Sequence, residues 1–128
     1  MKNINEIIPC VILAGGKGRR MGGKEKGLIN LLDRPLLSYV LEKVSGKAAP
    51  IALNINTNFE KFKNFGYEIL EDPLKGHLGP LVGILASLNW AKNIKQSWVL
   101  TLPCDTPFLP QNLIESLVKV KNENPDVD

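Results

Sequence analysis

Ile7-Ile8-Pro9-Cys10-Val11-Ile12-Leu13-Ala14 runs directly into Gly15-Gly16-Lys17-Gly18-Arg19-Arg20-Met21-Gly22-Gly23-Lys24-Glu25-Lys26-Gly27. The first stretch is almost wholly apolar, which predicts a strand buried on both faces. Pro9 falls near its start, where a missing amide is tolerated. The second stretch is its opposite: Lys17, Arg19, Arg20, Lys24 and Lys26 lie among glycines and are opposed there only by Glu25. Glycines let backbone amides close on phosphate oxygens, arginine offers a planar fork, and lysine a mobile point charge. A buried strand that empties into such a loop predicts a site for a polyanionic ligand.

Working outward, Pro35 opens a helical pattern in which Leu36, Leu37, Val40, Leu41 and Val44 recur at three- and four-residue spacing, with Gly46 just past its end. Residues 51–55 read as a strand, 59–65 as a short helix and 67–70 as a third strand. Gly79-Pro80 starts an apolar helix through Leu81, Ile84, Leu85, Leu88 and Trp90. Residues 98–102 read as a fourth strand, and Pro110 opens a last helix with Leu113, Ile114, Leu117, Val118 and Val120. Strands alternating with helices predict an α/β fold, a three-layer Rossmann-like and mostly parallel sheet with helices on both faces. Ligands of such sheets bind beyond the carboxyl ends of the strands. That rim collects the basic loop, Asn54 and Asn56 at the second strand, Glu71 and Asp72 after the third, and Cys104 and Asp105 after the fourth. Cations, amides and carboxylates on one rim suit a nucleotide with a metal ion.

Composition narrows the class. The chain has 128 residues, 44% of them hydrophobic, with 16 basic and 13 acidic residues for a net charge of +3. That describes one ordinary globular portion without low-complexity segments. A charge this small does not point to nucleic acid. No apolar run approaches the ~20 residues of a membrane span, and the start reads as no secretory signal. The expectation is a cytoplasmic protein that engages neither nucleic acid nor membrane. Cys10 and Cys104 are too few for a disulfide scaffold. On neighbouring parallel strands their offset would separate them by over ~10 Å at ~3.3 Å per residue, beyond disulfide reach.

Two familiar phosphate motifs fail. Gly16-Lys17-Gly18-Arg19-Arg20-Met21 lacks the third glycine of the dinucleotide fingerprint. Gly18 to Lys24 matches the spacing of a P-loop, but Glu25 stands where the magnesium-binding hydroxyl belongs. His77 is the single histidine, so triad or histidine-based metal chemistry has too few partners.

Three segments together are similar to one family. Leu13-Ala14-Gly15-Gly16-Lys17-Gly18-Arg19-Arg20-Met21-Gly22-Gly23 with Lys26-Gly27-Leu28 resembles the signature loop of nucleotidyltransferases of the nucleotide-diphospho-sugar-transferase fold. With Gly79-Pro80-Leu81-Val82-Gly83 and residues 102–110 (Leu-Pro-Cys-Asp-Thr-Pro-Phe-Leu-Pro), it most resembles the molybdenum cofactor guanylyltransferase family. The resemblance implies transfer of GMP from GTP to molybdopterin with Mg2+ and release of pyrophosphate. Leu13, Ala14 and Gly15 would then meet the nucleotide through their backbone, Lys26 would hold phosphate, and Asn54 and Asp72 would line the nucleoside pocket. Asp105 would bind the metal, and Lys26 and Arg20 would neutralise the phosphates during transfer. From hydrogen-bonding chemistry, the Asp72 carboxylate is expected to accept from the N1 and N2 edge of guanine. Partners would be GTP, molybdopterin and the proteins that make and deliver this cofactor.

The same resemblance implies a domain that continues past Asp128. Residues 1–128 are therefore read as the nucleotide-binding N-terminal portion of one truncated nucleotidyltransferase domain, with the acceptor side beyond residue 128. The rival readings are a cytidylyl- or sugar-phosphate nucleotidyltransferase, since the loop serves all of them, and a nucleotide-binding module without catalysis.

Overall fold

A computed structural model of the chain describes residues 8–14, 20–21, 24–25, 28, 30–56, 59–73, 81–104 and 112–123. In chain order the elements are β1 (Cys10–Leu13), β2 (Arg20–Met21), β3 (Lys24–Glu25), β4 (Asn30–Leu31), β5 (Arg34–Pro35), α1 (Leu36–Val44), β6 (Ile51–Asn54), α2 (Phe59–Lys63), β7 (Glu68–Leu70), α3 (Leu81–Asn93), β8 (Leu100–Pro103) and α4 (Leu113–Glu123). Among the described residues, the main sheet has the order β7-β6-β1-β8, and every pairing in it is parallel.

The two-residue alternation of the strands sorts their side chains onto two faces. Cys10, Ile12, Leu53, Ile55, Leu100, Leu102 and Cys104 face one way, onto Leu37, Val40, Leu41 and Val44 of α1, Phe62 of α2, and Ile114 and Val118 of α4. Val11, Leu13, Ala52, Leu70 and Val99 face the other way, with Trp90 of α3. The placement of the helices follows from crossover handedness. The connections through α1 and α2 step one way along the sheet, from β1 to β6 to β7, whereas α3 leads back across it to β8. A constant hand of crossover requires the returning helix to lie on the opposite face. The sheet with helices on both faces thus matches the expectation.

On its inner side α3 carries Val82, Gly83, Ala86, Ser87, Trp90 and Ala91, mostly small residues that allow close approach to the sheet, while Leu81, Leu85 and Leu88 are exposed outside. The Trp90 indole nitrogen is buried without a hydrogen-bond partner. Cys10 pairs in register with Leu100, which places Cys104 four residues further along, about 13 Å at ~3.3 Å per residue. Both cysteines are buried and neither is in a disulfide, as expected. No helix among the described residues is long and apolar enough to cross a membrane.

Local elements differ from the sequence reading in several places. Residues 15–27, read as an uninterrupted loop, contain the antiparallel pair β2–β3, in which Arg20 pairs with Glu25 and Met21 with Lys24. A second hairpin, β4–β5, turns at Leu32 (φ 53) and Asp33 (φ 69). Consecutive positive φ values mark the mirror-image turn that matches strand twist, but no Asn-Gly signal announces it in the sequence. Pro35 belongs to that hairpin, pairing with Asn30, and with φ −58° and ψ 144° it precedes the helix instead of forming its first residue. The hairpin is fastened to α1. The Tyr39 hydroxyl donates to the Leu31 carbonyl, the Arg34 guanidinium lies 4.5 Å from the Tyr39 ring centre, and Arg34 Nη2 donates to Glu42 at 2.7 Å.

The far end of α1 agrees with its sequence signal. Ser45 N–H donates to the Leu41 carbonyl at 2.8 Å, and Gly46 beyond it takes φ 83°, a conformation in which a β-carbon is unfavourable. The fourth strand starts at Leu100, so Trp98 lies outside it, partly buried against the main core.

Candidate functional site

The carboxyl ends of the strands are level with one another. Leu13 pairs with Asn54 on one side and Pro103 on the other, and Asn54 pairs with Leu70. The ladder continues one step past each end: Ala14 N–H donates to the Asn54 carbonyl at 3.0 Å, Ile55 N–H to the Leu70 carbonyl at 2.9 Å, and Cys104 N–H to the Leu13 carbonyl at 3.2 Å. The chain first steps one way from β1 and later returns to its other side at β8, so β1 and β8 flank the topological switch point where open α/β sheets form their crevice.

Alternation carries three polar side chains to this rim on the α3 face. Ala52 and Leu70 face α3, so Asn54, Asn56 and Asp72 continue the same rows past the apolar stretch. Asn54 Nδ2 donates to Asp72 Oδ1 at 2.9 Å and to the Leu70 carbonyl at 3.2 Å. Asn56 Nδ2 donates to Asp72 Oδ2 at 2.8 Å, and Asp72 N–H donates back to Asn56 Oδ1 at 2.9 Å. Among the described residues each carboxylate oxygen of Asp72 thus accepts one amide hydrogen bond. An ionised carboxylate has about four acceptor positions, so each oxygen can take a further donor. Asn54 is 3% exposed and Asp72 is half-buried.

Gly83 of α3 closes this arrangement from behind. A β-carbon there would stand 2.7 Å from Asn54 Oδ1 and 3.4 Å from Leu13 Cδ2. Only glycine lets α3 approach Asn54 this closely without displacing the amide.

Of the residues singled out from sequence, Leu13, Ala14, Asn54 and Asp72 are brought together on one rim. Arg20 lies in the β2–β3 hairpin. Gly15, Lys26 and Asp105 lie outside the described residues, as do Gly79 and Pro80. Asp105 directly follows Cys104, whose amide is tied to the end of β1. Sequence reasoning placed Asn56 on the rim without a role and left Gly83 without one. The signal for Asn56 was the Asn-x-Asn spacing at a strand end, which puts both amides on one face. Among the described residues no three His, Cys, Asp or Glu side chains gather to hold a metal.

The reversing parallel sheet, the level carboxyl ends and the amide-held carboxylate define a doubly wound α/β protein with a polar rim at its switch point. Comparison with known proteins specifies the family. The model described as MobA-like NTP transferase domain matches residues 10–127, and the chain belongs to that family. The molybdenum cofactor guanylyltransferase of Shewanella putrefaciens is 40% identical over 111 residues, which are 87% of this chain and 55% of that protein. That of Yersinia pestis is 39% identical over 116 residues, 91% of this chain and 58% of that protein. Among solved structures, CMP:2-keto-3-deoxy-manno-octonic acid synthetase complexed with CTP aligns with a TM-score of 0.67 at 15% identity, covering 94% of this chain and 48% of that one, and shows the shared fold. Molybdopterin-guanine dinucleotide biosynthesis protein A from Archaeoglobus fulgidus aligns with a TM-score of 0.63 at 26% identity, covering 93% of this chain and 57% of that one. The chain thus spans a little over half the length of the curated relatives it matches. The family and fold class read from the sequence are those found.

Proposed function

We propose that residues 1–128 carry the nucleotide-binding portion of a single nucleotidyltransferase domain that moves GMP from GTP onto molybdopterin, releasing pyrophosphate. The observation that carries this reading is the Asp72 carboxylate, held by two neutral amides at the carboxyl end of a parallel sheet. Family membership and the guanylyltransferase names of the relatives support it.

In this reading Asp72 accepts from the adjacent N1–H and N2–H donors of guanine with the lone pairs its amides leave open. Adenine and cytosine present a ring-nitrogen acceptor at the corresponding edge, which a carboxylate repels. Leu13 and Ala14 have already committed one carbonyl and one N–H to neighbouring strands. The Leu13 carbonyl keeps a second lone pair and the Ala14 carbonyl stands past the paired ladder, so backbone contact with the nucleotide runs through Leu13, Ala14 and Gly15. Lys26 and Arg20 neutralise the phosphates, which is most of the work in phosphoryl transfer because there is little covalent chemistry for the protein to perform. A terminal phosphate oxygen of the pterin attacks the α-phosphorus of GTP, forming one P–O bond as the bond to pyrophosphate breaks. The nucleophile is already anionic, so no side chain has to remove a proton.

Magnesium suits this donor chemistry. The ion takes one or two carboxylates together with substrate phosphates and water, without a dedicated cage. Asp105 would hold it, with Asp72 left to the base by its amide partners, and the bound ion would supply charge neutralisation at the phosphates.

Calorimetric titration of GTP with and without Mg2+, in the wild type and in Asp105→Ala, tests this assignment. Mg2+ should tighten GTP binding in the wild type and do little in the variant. Equal magnesium dependence in both would remove Asp105 from the role.

A further inference from the structure

We propose that Asn56 is a positioning residue for base selection, acting through Asp72 without itself having to touch the nucleotide. The inference rests on the reading of Asp72 as the guanine acceptor and adds a residue to it. Asn56 grips Asp72 at two points, donating from Nδ2 to the carboxylate oxygen Oδ2 at 2.8 Å and accepting at Oδ1 from the Asp72 backbone N–H at 2.9 Å. A backbone bond and a side-chain bond from one planar amide fix both the position of residue 72 and the plane of its carboxylate. Asn54 holds the other oxygen at 2.9 Å and is itself buried beneath α3.

The chemistry of these holders is informative. Among the described residues the Asp72 carboxylate is oriented by neutral amides and enters no ion pair. An arginine or lysine in the same place would orient the group equally well but offset its charge and occupy its lone pairs as a fork. Neutral donors orient the acceptor pair without themselves offsetting its charge, which suits a ligand with two adjacent N–H groups. Preorganised dipoles of this kind raise selectivity because nothing must reorder when the ligand arrives. Asn54 is buried and also serves the end of β7 through the Leu70 carbonyl. Asn56 is half-buried beyond the strand end, and among the described residues both of its side-chain hydrogen bonds go to Asp72. Aiming that carboxylate is therefore the work its side chain does.

The test compares wild type, Asn56→Ala and Asn56→Asp by calorimetric titration with GTP, ATP, CTP and pyrophosphate, each with Mg2+. Losing a charge-assisted hydrogen bond corresponds to about 10- to 100-fold in affinity when the bond is fully expressed in binding. Asn56→Ala should thus weaken GTP by ~10-fold or more and draw the GTP-to-ATP and GTP-to-CTP ratios toward unity. Pyrophosphate affinity should stay within about twofold, because the phosphate loop is untouched. Asn56→Asp keeps the acceptor for the Asp72 N–H but sets a second carboxylate against the first. It should therefore retain the fold and lose GTP preference at least as far, which keeps the proposal testable if the alanine variant unfolds. A parallel weakening of every ligand, pyrophosphate included, would mark a merely structural role and overturn the proposal. So would an unchanged base ratio in both variants alongside a selective wild type. A wild type that binds pyrophosphate but shows no GTP preference would instead overturn the reading of Asp72, and this proposal with it.

Discussion

Replacing Gly83 by alanine pits helix propensity against the geometry of the rim. Propensity favours the change, because glycine inside a helix is worse than alanine by roughly 0.5–1 kcal/mol. The structure predicts the opposite sign. The new β-carbon would stand 2.7 Å from Asn54 Oδ1 and 3.4 Å from both Asn54 Cγ and Leu13 Cδ2. The terminal atom of a free side chain could swing aside at little cost. Asn54 is not free: it is 3% exposed, and its amide nitrogen donates to Asp72 at 2.9 Å and to Leu70 at 3.2 Å. Turning the amide to restore ordinary contact weakens both bonds, one charge-assisted at about 1.5–3 kcal/mol and one neutral at about 1 kcal/mol. After the propensity gain is deducted, Gly83→Ala should destabilise the chain by about 1–2 kcal/mol. That corresponds to a fall in Tm of about 3–8 °C for a chain of this size. Urea unfolding followed by tryptophan fluorescence measures it. A double-mutant cycle locates the cause: in an Asn54→Ala background the obstacle is gone, and Gly83→Ala should become neutral or stabilising. Gly83→Ala that raises stability by about 0.5–1 kcal/mol in the otherwise native chain, as propensity alone requires, would refute the reasoning.

Two further outcomes rest on other parts of the fold. Leu32 is 84% exposed with φ 53° at the tip of the β4–β5 hairpin; Leu32→Asn should stabilise the chain by about 0.5–1 kcal/mol in urea unfolding, since asparagine tolerates that backbone and no core contact is lost, whereas a destabilised variant would contradict the turn. Burial pushes the Cys10 thiol from its ordinary 9.0 up to about 12. The unfolded chain then releases this proton at lower pH than the folded one, so the Cys10 contribution is complete below pH 9.0 and is lost as pH rises toward 12. Across that window Cys10→Ala should lose stability less steeply than wild type in pH-dependent urea unfolding, and parallel slopes would count against burial as the cause.

What could be read from the sequence tracks the strength of its periodicities. The apolar run ending at Ala14, the three- and four-residue spacing from Leu36 to Val44 and the alternation of strands with helices were sufficient for the parallel sheet and its layers. The rim was equally accessible, because ligands of parallel sheets bind beyond the carboxyl ends of the strands, and Asn54, Asn56 and Asp72 follow predicted strands there. Three things were hidden. The turn at Leu32-Asp33 depends on a left-handed backbone at a leucine, which propensity disfavours and which the Tyr39 and Arg34 contacts hold in place. The restriction at Gly83 arises from α3 crossing Asn54, a contact between residues remote in sequence. The bonding of Asn56 to Asp72 likewise needs the β6–β7 register, which no local pattern reports.

The central claim is that the Asp72 carboxylate selects guanine, and competitive calorimetric titration of GTP, CTP and ATP with Mg2+ into wild type and Asp72→Asn tests it most directly. The account predicts that GTP binds wild type at least ~10-fold more tightly than either competitor and that the amide variant loses this preference while still binding pyrophosphate. A preference for CTP, or a GTP preference that survives Asp72→Asn unchanged, would contradict it.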